Sequence, residues 1–112
     1  MQKEAKILWT SDNKDTVMNM IILYAHNAKK LAWIENVHVL VWGASQKLIS
    51  EDKEIQEAVK AMIDDGVKVT ACLKCADNMK ITESLSACNI DIYYTGELLS
   101  NWIKSGETVI SV

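Results

Sequence analysis

The 112-residue chain has no arginine, no proline and no phenylalanine. All 12 basic residues are therefore lysines, in a chain of net charge −3 and pI about 5.3. Bidentate contacts to phosphate or guanine need a guanidinium fork, and non-specific binding to nucleic acid needs a basic face. Neither is available, so nucleic acid is not an expected partner. Long apolar runs are missing too: every stretch breaks off short of the roughly 20 residues a membrane span requires. The opening "MQKEAKILWTSDNK" contains no extended apolar segment of the signal-peptide kind. A cytoplasmic protein without a membrane partner is expected. The cysteine count is three, an odd number that argues against a disulfide framework and suits a compartment where thiols stay reduced.

What is present reads as one globular domain over residues 1–112. A hydrophobic fraction of 49% and a charged fraction of 24% fit a folded chain able to bury a core without staples. Strand-like and helix-like segments alternate. "AKILWT" (5–10) is a short apolar run, and a long helical pattern follows from about Lys14 to Trp33. "VHVLVW" (37–42) is nearly continuous in Val and Leu, the mark of a strand covered on both faces. "GAS" leads into a helix, and Ser50 is a candidate cap for a second piece in which Ile55, Val59, Met62 and Ile63 keep helical spacing. Gly66 ends that piece, and "VKVTA" (67–71) is the third strand. Residues 72–88 read as helical with a break near Thr82; "IDIYY" (90–94), "GELLSNWIKSG" and "ETVISV" supply a strand, a short helix closed by Gly106, and a last strand. Five strands alternating with helices predict a mostly parallel sheet with helices on both faces.

The first helix carries two adjoining apolar stripes. One is Val17, Ile21, Tyr24, Ala28 and Leu31; the other is Met18, Ile22, Ala25 and Ala32. So wide an arc exceeds what one sheet face needs and predicts a homo-oligomer.

Ligands of open α/β sheets sit outside the carboxyl ends of the strands. Those ends are Thr10–Ser11, Gly43–Ala44–Ser45, Ala71–Cys72 and Thr95–Gly96. The third lies in "GVKVTACLKCAD" (66–77), where Cys72 and Cys75 stand three apart at an expected helix start. In the first turn the positive end of the helix favours thiolate, and Lys74 adds a cation that Asp77 partly opposes. A lowered Cys72 pKa follows. Zinc is disfavoured: a second paired ligand set is missing, and Cys88, His26 and His38 are the only other candidates. No metal and no cofactor are expected. The thioredoxin-like scaffold, which props its Cys-X-X-Cys with a cis-proline, is excluded by the lack of proline. Dithiol chemistry on another fold stays open for Cys72 and Cys75, beside inert packing, which is the reading for Cys88. Thr10, Ser11, Trp42, Gly43, Ser45 and Lys74 are candidates to line the pocket. Capping a helix or bonding a loop is the commoner duty of Thr10, Ser11 and Ser45. His26 falls on the polar side of the first helix, while Trp33 and Trp102 look like packing anchors.

The segments "ILWTSDNKD", "YAHNAKK", "VHVLVWGAS" and above all "DDGVKVTACLKCAD" resemble the DsrE/DsrF-like family along almost the whole chain. The resemblance implies a five-stranded parallel sheet in a three-layer α/β/α sandwich, assembled as trimers or hexamers. It also implies sulfur relay, in which a cysteine after a similar Gly-Val strand accepts sulfane sulfur as a persulfide between donor and acceptor proteins. Counted from Gly66–Val67, that cysteine matches Cys72. Cys75 departs from the single-cysteine carrier pattern. It fits a resolving thiol or a packing residue equally well. Three readings follow: a sulfur carrier, a non-catalytic oligomeric scaffold of the same fold, or a dithiol redox protein.

Overall fold

The computed structural model describes residues 4–112. Strand β1 (Glu4–Trp9) is followed by one helix in three pieces: α1 (Lys14–Thr16), a π-helical stretch (Val17–Ile22) and α2 (Leu23–Lys30). Then come β2 (Asn36–Val41), α3 (Ala44–Glu51), α4 (Lys53–Asp64), β3 (Lys68–Cys72), α5 (Leu73–Met79) and α6 (Thr82–Ser86). Strand β4 (Asp91–Tyr93), α7 (Gly96–Lys104) and β5 (Val109–Ser111) complete the order. All four strand pairings are parallel, in the order β4-β3-β2-β1-β5.

That order fixes the layers. The chain steps from β1 to β4 in one direction, and right-handed crossovers put every helix from α1 to α6 on one face. From β4 it returns to the opposite edge through α7, which therefore lies on the other face. Side-chain alternation agrees. Ala5, Ile7, Trp9, Val37, Val39, Val41, Val67, Val69 and Ala71 join the main core with Val17, Ile21, Ile49, Ile55, Val59 and Met62. The intervening His38, Leu40 and Thr70 point the other way, and His38 meets the ring of Trp102 on α7 edge-on at 5.1 Å. Among the described residues, one face carries seven helical pieces and the other a single helix.

Three local expectations change. Ser50 does not cap: it stays inside α3 and its hydroxyl donates to the Lys47 carbonyl at 2.7 Å. Asp52 ends α3 with extended backbone and accepts from the Ile55 amide at 3.1 Å, the geometry that an N-cap requires. The first helix stops at Lys30 instead of Trp33, in a turn with Ala32 at φ 57°. The break expected near Thr82 falls at Lys80, in the left-handed region with φ 60°. The two stripes of the first helix are largely consumed within the chain: Val17, Ile21, Ile22, Ala25 and Ala28 are buried. The apolar surface left over is Leu31 from the first stripe together with Met20, Leu23 and Trp33 from outside both, each at least 40% exposed.

Candidate functional site

Strand β3 ends at Cys72, whose backbone (φ −75°, ψ 118°) is still extended while the next residue is already helical. Cys72 is thus the N-cap of α5 and Cys75 its third helical residue. These two positions face each other across the first turn of a helix, as the partners of a capping box do. The chain leaves β3 toward the crowded face and leaves β4 toward α7. Neighbouring strands whose exits part to opposite faces make a topological switch point, the crevice where open α/β sheets bind ligands. Cys72 pairs in register with Tyr93, and Thr95 follows as the N-cap of α7. The two residues stand on either side of that crevice.

Two buried polar atoms here lack partners. The Thr95 hydroxyl (1% exposed) makes no conventional hydrogen bond and bears on the Cys72 sulfur. Gln46, fully buried on α3, donates its amide to the Cys72 carbonyl at 3.0 Å and leaves its Oε1 unpaired. Leaving such atoms unpaired is costly, and both belong to side chains that act on Cys72, Gln46 on its carbonyl and Thr95 on its thiol.

Burial pushes the Cys72 thiol up, but the Cys75 amide and thiol, the Thr95 hydroxyl and the Lys74 amide outweigh it, holding it below its ordinary value. The two amides act at longer range than a tight cap hydrogen bond. Cys75 is pushed up, first by burial and then by the neighbouring Cys72 sulfur, to which it donates. The Gly43 amide and the Trp42 side chain oppose that rise. The pair is therefore split into one thiol ready to ionise and one held protonated. All three cysteines are free, and Cys72 is 4% exposed while Cys75 is half-buried.

The chain matches the DsrE/DsrF-like family over residues 16–112. It belongs to that family. Among solved structures it is similar to a conserved protein of unknown function, BT1422, from Bacteroides thetaiotaomicron, at 35% identity and a TM-score of 0.96 over 98% of this chain and 95% of that one. A protein of unknown function, MTH1491, from Methanobacterium thermoautotrophicum shares the fold at 16% identity, with a TM-score of 0.80 over 99% and 100%. So does the ychN protein from E. coli, at 16% identity and a TM-score of 0.65 over the full length of both chains. No curated protein matches.

On this DsrE-like sheet the candidates named from the sequence divide by strand. Cys72, Cys75, Trp42, Gly43 and the Lys74 backbone gather at the exits of β2 and β3. Ser45 is buried beneath them, donating to the Trp9 and Trp42 carbonyls at 2.7 and 2.9 Å, and so ties two strand exits together. Thr10 and Ser11 belong to the β1 exit, two strands from β3. Thr10 donates to the Val112 carbonyl at 3.2 Å, and Ser11 accepts from the Asn13 amide at 3.1 Å. Cys88 is buried, donates to the Ser84 carbonyl at 3.5 Å and has its thiol pushed up by burial. His26 pairs with Asp65 at 2.5 Å. Among the described residues no three metal-ligating side chains converge, and no helix is long and apolar enough to cross a membrane. Sequence reasoning missed Thr95 and Gln46. Thr95 had been marked as a strand end, and Gln46 sits three residues before buried Ile49, a polar residue on an otherwise apolar helical stripe.

Proposed function

We propose that the protein is a sulfur carrier that takes sulfane sulfur onto Cys72 and passes it between protein partners. The observation that carries this reading is a cysteine at the β3–β4 switch point with a lowered pKa and an otherwise unpartnered, buried threonine hydroxyl beside it. The Cys72 thiolate attacks the terminal sulfur of a donor persulfide R–S–SH, giving Cys72–S–SH and the donor thiolate R–S⁻. The donors that favour the thiolate also serve the persulfide anion, and the lowered pKa raises the thiolate fraction available for attack. Relay on a free thiol suits a reducing compartment, the cytoplasm.

Intact-mass measurement with peptide mapping tests the reading, on reduced protein incubated with a small-molecule persulfide. One reductant-labile sulfur on Cys72, lost in Cys72→Ser, is the expected result; undiminished loading of Cys72→Ser sinks it. The 4% exposure of Cys72 favours a second reading, a scaffold whose thiols became structural. Slow alkylation at neutral pH together with failure to take sulfur would select it. We also propose a homo-oligomer, supported by the exposed apolar cleft of about 390 Å³ along the first helix.

A further inference from the structure

A carrier uses one thiol, yet this crevice holds two. We propose that Cys75 is the resolving thiol of the site, so that sulfur loaded on Cys72 is released as free hydrosulfide while Cys72 and Cys75 close a disulfide. The proposal rests on the carrier reading and deepens it, because it makes the protein a persulfide-reducing one.

Several independent features point to this role. Cys75 stands at the third helical position, facing the N-cap Cys72 across one turn, near enough for each thiol to shift the other's ionisation. Packing does not account for Cys75: it is half-buried and outside the core cluster. It is also served by donors that an inert thiol does not need, the Gly43 amide and the Trp42 side chain. Gly43 adopts φ 74°, yet an added Cβ would meet nothing within 4 Å. That glycine is explained by the backbone conformation which aims its amide, not by lack of space. Finally, the buried Thr95 hydroxyl at the start of α7, which has no hydrogen-bond partner, favours the anionic form of Cys72 and is available to a sulfur anion there.

The chemistry balances. In Cys72–S–S⁻ plus HS–Cys75, a new bond forms between the two Sγ atoms and the bond from Cys72 Sγ to the terminal sulfur breaks. The products are Cys72–S–S–Cys75 and HS⁻. The two cysteines together give up two electrons, the sulfane sulfur takes them, and the Cys75 proton leaves on the hydrosulfide. Once sulfur is loaded, the negative charge moves from Cys72 Sγ out to the terminal atom. The contact that kept Cys75 protonated weakens, while Gly43 and Trp42 remain to stabilise its thiolate. The order of events is thus built into the pair: Cys72 loads first and Cys75 reacts second. Repeated turnover needs a dithiol reductant to reopen the disulfide; one turnover needs none.

The test is a single turnover without reductant. Reduced wild type, Cys75→Ser and Cys75→Ala are exposed to a small-molecule persulfide, desalted at once, and followed by intact mass and by sulfide assay. Wild type is expected to end as the Cys72–Cys75 disulfide with one hydrosulfide released per chain, while both variants accumulate sulfur on Cys72. Wild type that keeps its sulfur as long as the variants and releases no sulfide overturns the proposal and leaves the carrier standing. Failure of all three proteins to take sulfur on Cys72 overturns both.

Discussion

Thr95 is the residue that tests the site, because its hydroxyl is buried without a hydrogen-bond partner and helps hold the Cys72 pKa down. A hydrogen bond to a charged partner is worth about 1.5–3 kcal/mol, and 1.36 kcal/mol is one pKa unit. Thr95→Val keeps the shape, removes the donor and deletes an unsatisfied atom. The Cys72 pKa should therefore rise, with alkylation near neutral pH slowing by up to about tenfold and no loss of thermal stability. Rates of iodoacetamide reaction across pH, followed at Cys72 by peptide mapping, read this directly. An unchanged profile would show that the hydroxyl does not serve the sulfur. Cys72 itself was legible in the sequence, because a cysteine that ends a Val-rich strand and opens a helix is a local pattern. Thr95 and Gln46 were not. Their roles depend on which strand lies beside β3 and which way each exit turns, and neighbouring residues encode neither.

At the scale of elements, strands were read within about two residues, because periods of 2 and 3.6 survive in a single sequence. The misreadings came where two local signals compete. Ser50 and Asp52 both offer a cap, and Asp52 prevails because it alone has extended backbone while Ser50 bonds back to Lys47. In the first helix the π-helical Val17–Ile22 advances more residues per turn, and Ile21 and Ile22, one from each stripe, are both buried. Met20, Leu23 and, beyond the helix end, Trp33 line a cleft, with Leu23 53% and Trp33 61% exposed. Large apolar side chains gathered in this way are the surface on which the proposed homo-oligomer would close. Light scattering of the purified chain should give a mass above one protomer, and Leu23→Lys should reduce it while leaving the far-ultraviolet spectrum unchanged. A monomeric wild type would refute the assembly.

Over the whole molecule the sheet is guarded unequally, and the thin side is the acid-sensitive one. His38 on β2 and Thr70 on β3 share a hydrogen bond of 2.9 Å beneath α7, where Trp102 packs on the imidazole. Burial, then the Lys68 charge, and more weakly Lys6, drive the His38 pKa down to about 4, with Asp91 pulling the other way. A base depressed in the folded state takes up its proton more readily once unfolded. Its neutral form therefore supports the fold fully above the unfolded value of about 6.5, and that support is lost as pH falls through about 4. The full span corresponds to on the order of 3 kcal/mol, a large share of a small protein's stability. Urea titrations from pH 7 to pH 4 should show the midpoint falling across that window, and His38→Gln, which retains a hydrogen-bonding group for Thr70, should flatten the fall. A wild-type midpoint level over the same range would dismiss His38 as the cause. Thr95 opens the helix that His38 supports, so the same titration reaches the thiol site. Undocking α7 withdraws the hydroxyl from Cys72, and thiol reactivity corrected for ionisation should change together with the urea midpoint.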